Sequence, residues 1–299
     1  MDTQSSELAF SVHTFLKAIR SEGKSPNTLR FYDQGLASFA SFLASEGHSL
    51  TLVDVLPSDA RNFLASQLQR GLSPGTVDGR RRALVRFFNF LVEEGDMAIS
   101  PMARVKRIKS PQQVVPSYSG DEIHTLLNNC SGKRFEDVRD KALILTFYDT
   151  GMRLGEVAGL LLDDVDWQVD RIKVRGKGAK ERFAGMGSQL QRALLRWTRV
   201  RPQTGEGLWT NRLGHQLGKE AVRSIIKRRL RRVGIKGPRA VHRFRNSFAV
   251  QCLENGMHPD DLRELLGHTT DQMVRRYTQY GAQQRALRAH KNHSPADRL

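Results

Sequence analysis

Four runs of apolar residues at helical spacing, each shut by a glycine, fill the first hundred residues and point to a helical bundle. Leu8, Val12, Phe15, Leu16 and Ile19 form one stripe that stops at Gly23. Ser25-Pro26 supplies an N-cap followed by a proline at the first helical position, and Leu29, Tyr32, Leu36, Phe39 and Leu43 continue that helix to Gly47. A third helix spans Ser58 to Arg70 and closes at Gly71. Ser73-Pro74 repeats the earlier start, and Leu84, Phe87, Phe88 and Leu91 make the apolar face of a fourth helix ending at Gly95. The shared Ser-Pro start suggests two helix pairs, not a true sequence repeat. A first domain over 1–98 follows.

The helical pattern fails from Ala98 to Tyr118. Pro101, Pro111 and Pro116 interrupt the chain while Arg104, Lys106, Arg107 and Lys109 charge it. A basic, proline-broken stretch over 99–118 reads as a linker, either a plain tether or a segment that touches phosphates. Ser119 and Glu122 then form an S-x-x-E capping box, which starts a second domain over 119–280. Within it, Ala142 to Tyr148 looks buried before Asp149-Thr150-Gly151. Arg153 stands at the next helix start, with Glu156 one turn on. Asp170 to Arg175 and Glu181 to Met186 suit short strands, and the glycine-rich GKGAK between them makes a β-hairpin with Lys177 and Lys180 at its tip. Gln189 to Arg201 and Lys219 to Val233 are amphipathic, and the second carries Arg223, Lys227, Arg228, Arg229, Arg231 and Arg232.

Val241 to Tyr280 concentrates the side chains that can do chemistry. Phe244, Phe248, Cys252 and Leu253 recur at helical spacing up to Gly256, so His242 and Arg245 lie one turn apart, on what the periodicity makes a polar face. Pro259 opens a short helix with Leu262, Leu265 and Leu266, Gly267 ends it, and His268 precedes a third helix that presents Tyr277. Arginine suits phosphate oxygens because its planar fork donates two hydrogen bonds and keeps its charge. Phosphoryl transfer is largely positioning plus neutralisation of the equatorial oxygens, so two arginines, two histidines and a tyrosine form a usable set. The rival reading of this stretch is a helix-turn-helix that binds a major groove without chemistry.

The charge balance bears on the partner. The chain has 299 residues and a net charge of +17, which favours a polyanion. No run of eighteen apolar residues is present, and MDTQSSELAF lacks the basic and apolar regions of a signal peptide, so a membrane partner is not expected. Cys130 and Cys252 are the only cysteines and have no metal-ligand spacing. Neither a disulfide framework nor a zinc site is indicated, and a cytoplasmic location fits.

Four motifs in order, spread over more than a hundred residues, resemble the tyrosine recombinases of the phage-integrase type. They are Thr150-Gly151-Met152-Arg153-Leu154-Gly155-Glu156, Gly176-Lys177-Gly178-Ala179-Lys180-Glu181-Arg182, His242-x-x-Arg245, and Leu266-Gly267-His268 with Tyr277 nine residues later. The resemblance implies a mainly α, two-domain DNA clamp. A helical, SAM-like core-binding bundle precedes a mostly helical catalytic domain with a small β-hairpin. It implies catalytic roles for Arg153, Lys177, His242, Arg245, His268 and the nucleophile Tyr277, with Glu156 supporting Arg153.

The same resemblance implies DNA contacts from Arg30, Arg80, Arg81, Arg82, Lys106, Arg107, Lys109 and Lys180. The expected partners are double-stranded DNA carrying specific recombination sites and a homo-oligomer, a tetramer on two duplexes. No cofactor, metal or ATP is expected. Residues 281–299 are a candidate tail for docking on a neighbouring protomer, and the location becomes cytoplasmic, associated with the nucleoid. Asn246 departs from the pattern, since many family members have histidine after the second arginine. The sequence Thr278-Gln279-Tyr280 lacks the histidine common in chromosome-dimer resolvases, which leans the reading toward a mobile-element integrase. A Xer-like dimer resolvase, a type IB topoisomerase and a non-catalytic DNA-binding protein are the alternatives.

Overall fold

The computed structural model describes residues 7–48, 51–109, 116–176, 181–237, 239–267, 286, 287, 290 and 293–298. The chain divides into two compact units, Met1–Gln113 and Val114–Leu299. The fold is mostly helical, with eleven α-helices and one small sheet among the described residues.

The first unit is built from α1 (Glu7–Ser21), α2 (Pro26–Ser45), α3 (Pro57–Gln69) and α4 (Pro74–Glu93). The expected punctuation is in place. Ser25 Oγ accepts from Thr28 N at 3.3 Å and Ser73 Oγ from Thr76 N at 3.2 Å. The closing glycines 23, 47, 71 and 95 all adopt positive φ, which a residue without Cβ does at little cost. Phe15, Phe39, Phe63, Phe87 and Phe88 are fully buried between the helices. Phe39 meets Phe63 edge-on at 5.2 Å, the orientation that the ring quadrupoles favour. Met102 and Val105, in the stretch expected to be linker, are buried in this same core, while Lys106, Arg107 and Lys109 stay exposed.

The second unit holds α5 (Gly120–Asn128), α6 (Phe135–Thr150), α7 (Leu154–Ala158), α8 (Ser188–Val200), α9 (Lys219–Arg232), α10 (Ala240–Glu254) and α11 (Pro259–Leu266). Three antiparallel strands, β1 (Val165–Asp166), β2 (Arg171–Arg175) and β3 (Glu181–Gly185), run in the order β1-β2-β3. Lys173 faces Phe183 and Arg175 faces Glu181 across the hairpin. Ile172, Val174 and Ala184 alternate inward to the core, as period-two burial requires. The capping box at Ser119 and Glu122 forms both of its bonds, at 2.9 and 3.1 Å.

α6 packs along α8 and α10 around Phe147, Trp197, Trp209 and Phe244, all inaccessible to solvent. A buried ion network crosses that core. Arg229 of α9 donates through Nε to Asp140 at 2.7 Å and through Nη2 to Asp137 at 2.8 Å, while Arg139 donates to the other Asp140 oxygen. Buried charges survive only when paired in this way.

Candidate active site

Arg153 and Glu156 sit on one short element. Gly151 ends α6 with φ 58°, and a Cβ there would come within 2.5 Å of the Phe248 ring and 2.9 Å of Leu266, so glycine is required both for the backbone turn and for the close approach of α10 and α11. The chain then turns into α7 with Arg153 as its N-cap. Glu156 both caps the helix and holds the guanidinium: Oε2 accepts the Arg153 backbone N–H at 2.8 Å and Oε1 accepts the Arg153 guanidinium at 2.9 Å. Burial works to raise the Glu156 pKa, but the hydrogen bonds from Arg182 and from Arg153 outweigh it and hold the carboxyl below its usual range.

Arg182, the last residue of the hairpin motif, has a role that the sequence does not assign. It leads from β3 to Glu156 Oε2 at 2.8 Å and to the Leu265 carbonyl at 2.9 Å. It thus ties the hairpin, the Arg153 turn and the end of α11 together. The E-R pair after the hairpin glycines was visible, but nothing local indicates which distant carboxylate it meets.

Arg245 differs from its expected setting. Helical spacing put it with His242 on a polar face, yet Arg245 is 2% exposed while His242 is open to solvent. The reason is specific: Nη1 donates to the Gly151 carbonyl and Nη2 to the Leu266 carbonyl, both at 2.7 Å. Those two carbonyls terminate α6 and α11 and lack helical partners, so the guanidinium satisfies both helix ends. Two motifs far apart in sequence meet through this one side chain. A guanidinium carries five N–H donors, and Arg245 still lines the cleft beside it.

That cleft encloses about 420 Å³, and its cationic and titratable lining is Arg153, Arg223, Lys227, Arg239, His242 and Arg245, with no acidic side chain among the lining residues. His242 is pushed below its ordinary pKa, first by desolvation and then by the charges of Arg245, Arg239 and Arg153. Its imidazole is therefore neutral at pH 7 and can accept a proton. Arg239 precedes α10 with φ 54° and ψ 37°, a left-handed conformation that costs a non-glycine residue about 1–2 kcal/mol. Neither the strain at Arg239 nor its place on the cleft wall has a signature in the sequence.

Asn246 is buried and donates to the Pro116 carbonyl at 2.9 Å, and Ser247 Oγ accepts the Tyr118 backbone N–H at 2.6 Å. The Tyr118 hydroxyl donates to the Ala240 carbonyl at 2.8 Å, beneath the Arg243 guanidinium. The departure at Asn246 thus serves to fasten residues 116–118 along α10. Lys177, Lys180, His268 and Tyr277 lie outside the described residues, as does most of the 281–299 tail. Among the described residues no cluster of three or more histidine, cysteine or acidic side chains could hold a metal ion, and no helix is long and apolar enough to cross a membrane.

In the first unit Arg30 is exposed on α2. The arginines of α4 do not act as one face, because successive helical residues point about 100° apart. Arg80 donates to Gln67 of α3, whereas Arg81 pairs with Asp78 at 2.9 Å. Arg82 lies 3.7 Å from the same carboxylate and over the Phe31 ring, and Arg107 also reaches Asp78 at 3.7 Å.

A cleft of convergent guanidiniums around an imidazole, on a helical domain with one hairpin, has the charge and donor geometry that a phosphate ester would need. Residues 117–284 match the phage integrase family model, and residues 12–95 match the phage integrase N-terminal SAM-like domain. The chain belongs to the phage integrase family; it is an enzyme of the tyrosine recombinase class. It is 31% identical to tyrosine recombinase XerC of Haemophilus influenzae over 258 residues, covering 85% of this chain and 86% of that protein. It is 30% identical to tyrosine recombinase XerD of Listeria innocua over 265 residues, covering 86% and 89%. Its fold resembles the XerH site-specific recombinase bound to a palindromic difH substrate in a post-cleavage complex, with TM-score 0.76, 18% identity, and 97% of this chain and 91% of that one covered.

Proposed function

We propose that this recombinase cuts and rejoins double-stranded DNA at specific sites through a 3′-phosphotyrosyl intermediate, with Tyr277 as nucleophile. The Tyr277 oxygen attacks the scissile phosphorus in line, the bond from phosphorus to O5′ breaks, and a 5′-hydroxyl is released. Attack by a 5′-hydroxyl of a partner strand on the phosphotyrosine reverses these bonds and frees the tyrosine. One phosphoester replaces another at each step, so no ATP is needed.

The observation that carries this reading is the fixed fork of Arg245 in a cleft shared with Arg153 and His242. Arg153 and Arg245 neutralise the non-bridging oxygens, and Glu156 holds Arg153 in place. Tyrosine ordinarily ionises near pH 10, and the neutral His242 takes its proton. His268 donates to a non-bridging oxygen and Lys177 protonates the departing O5′. Arg30, Arg81, Arg82, Lys106, Arg107, Lys109 and Lys180 contact the DNA backbone, and Arg80 supports α4 against α3.

Exchange between two duplexes needs four such sites, supplied by a tetramer with the 281–299 tail docking between protomers. The location is the cytoplasm, on the nucleoid. Integration and excision of a mobile element is the leading biological reading. Similarity over 85–86% of this chain to proteins named tyrosine recombinase XerC and XerD is also compatible with Xer-like resolution of dimers.

The test selects bound duplexes from random DNA and places two copies of the selected sequence on one plasmid or on two, with excess chelator present. Site-dependent exchange is expected in chelator, because guanidiniums take the place of a divalent cation at the phosphate. Relaxation of supercoils without exchange would indicate topoisomerase chemistry, and binding without any strand breakage would overturn the enzymatic roles. Exchange only within one plasmid favours resolution; exchange between plasmids favours integration.

A further inference from the structure

The cleft contains more positive charge than one phosphate requires. Arg153, His242 and Arg245 account for the scissile group under the function proposed above, on which this inference rests. Arg239, Lys227 and Arg223 remain in the same wall. Pockets that hold a whole small molecule run to roughly 300–1,000 Å³, and a cleft of about 420 Å³ falls in that range, well beyond one tetrahedral anion.

The remaining cations differ in their pairing. Arg223 donates to Glu220 at 2.7 Å on the exposed side of α9. The side chains of Arg239 and Lys227 make no hydrogen bond or ion pair among the described residues, whereas Arg153, Arg182 and Arg229 of the same unit are each paired with a carboxylate. Lys227 lies one helical turn from Arg223 on α9, and Arg239 comes from the entry to α10, so two elements bring their cations to one place. Arg239 also holds a left-handed backbone that glycine or asparagine would adopt more readily, which makes its side chain the reason for its presence.

We infer that Arg239 and Lys227, backed by Arg223, form a second phosphate seat that grips the phosphodiester adjacent to the scissile one on the same strand. A strand held at two successive phosphates cannot rotate about the first. The seat would therefore fix the direction of the phosphorus–O5′ bond relative to the attacking tyrosine, a positioning contribution that acts on binding and alignment.

The experiment uses the full chain in a Tyr277→Phe background, so that binding is measured without cleavage, on the duplex recovered by the selection described above. Single phosphates around the cleavage position are replaced in turn by neutral methylphosphonates. With Arg239 intact, neutralising the adjacent phosphate should weaken binding about ten- to a hundredfold, the range for loss of a charged hydrogen bond. With Arg239→Ala, binding to ordinary DNA should fall by a similar factor, and the same methylphosphonate should then cost nothing further. The salt dependence should become shallower by about 0.9 in log–log slope, as for one lost phosphate contact.

Arg239→Lys should restore most of the affinity. Arg239→Gly should melt no lower than the parent protein while binding as weakly as the alanine variant, which separates the role of the side chain from that of the fold. Equal methylphosphonate penalties at both neighbouring phosphates with and without Arg239 would overturn the second seat. So would loss of sensitivity at the scissile phosphate alone, which would assign Arg239 to the first seat. If the chain carrying Tyr277 forms no covalent adduct on this duplex, the recombinase mechanism fails, and the methylphosphonate result still stands or falls on its own.

Discussion

In the first unit the caps that start and stop each helix lie within a few residues of one another, and the interior is almost entirely phenylalanine and aliphatic side chains. In the second unit the decisive bonds join distant residues: Arg245 to Gly151 across 94 positions, Arg182 to Leu265 across 83, and Arg229 to Asp140 across 89. The first arrangement makes a bundle from local rules and apolar burial. The second uses arginines as cross-links between backbone ends and acids, and one of them, Arg245, both joins two helix ends and lines the cleft.

That contrast is most exposed at Arg245. Arg245→Lys keeps the charge but cannot span the carbonyls of Gly151 and Leu266 together, so the cleavage rate should fall by at least about 10²-fold, the scale of losing one aligned oxyanion donor. Single-turnover cleavage of the selected duplex checks it. Arg82→Lys in the first unit should leave that rate nearly unchanged and weaken binding only slightly. A comparable rate loss for Arg82→Lys would erase the distinction between the units.

Stability should divide the same way. Asp140→Ala leaves the buried Arg229 with Asp137 as its one remaining carboxylate and should destabilise the second unit by about 3–5 kcal/mol, as breaking a buried ion pair does. Phe63→Ala should cost the first unit a similar 3–5 kcal/mol through its cavity. The discriminating result comes from a second substitution: Arg229→Met should recover part of the defect of Asp140→Ala by removing the uncompensated charge, and should not recover that of Phe63→Ala. Denaturant unfolding followed by a probe in each unit measures both.

The His242 prediction is smaller and concerns pH. Its folded pKa lies below the ordinary 6.5, so at higher pH folded and unfolded states are both neutral there and the group contributes nothing. As pH falls through 6.5 the unfolded chain takes up the proton first, and stability drops until the folded pKa is also passed. Cleavage should share that window, staying level from pH 8 to 6.5 and declining below it as the imidazole is protonated. His242→Gln should flatten the acid limb. A decline that begins above pH 6.5 would argue against a lowered pKa at His242.

Caps should give the smallest effects. Ser25→Ala and Ser73→Ala should each destabilise the first unit by about 1 kcal/mol without altering cleavage chemistry.

How far the sequence could be followed tracks this difference between local and distant bonds. The four helices of the first unit, the Ser119–Glu122 box, the hairpin strands, α9, α10 and α11 were all legible within a residue or two, because each is written in its own caps, glycines and periodicity. The pairing of Arg153 with Glu156 was legible for the same reason, being three positions apart. Burial of Arg245 was not, since helical spacing treats a charge as solvent-facing and has no term for helix-end carbonyls brought from other motifs. The roles of Arg182 and Arg239 have no local signature, because one depends on a distant carboxylate and the other on a left-handed backbone at a non-glycine residue. Arg80, Arg81 and Arg82 are consecutive in the sequence and share one expected role as DNA contacts, but Asp78 and Gln67 divide them in the structure.

The account turns on Tyr277 meeting its phosphate in the cleft of Arg153, His242 and Arg245. The direct measurement is mass spectrometry of the peptide left attached to DNA when the full chain acts on a suicide duplex nicked beside the cleavage position, so that the released 5′ fragment diffuses away. The expected product is a nucleotide-modified peptide with the modification on Tyr277, formed in excess chelator and absent from Tyr277→Phe and Arg245→Ala. A modification on Tyr280, or an adduct that persists in Tyr277→Phe, would contradict it.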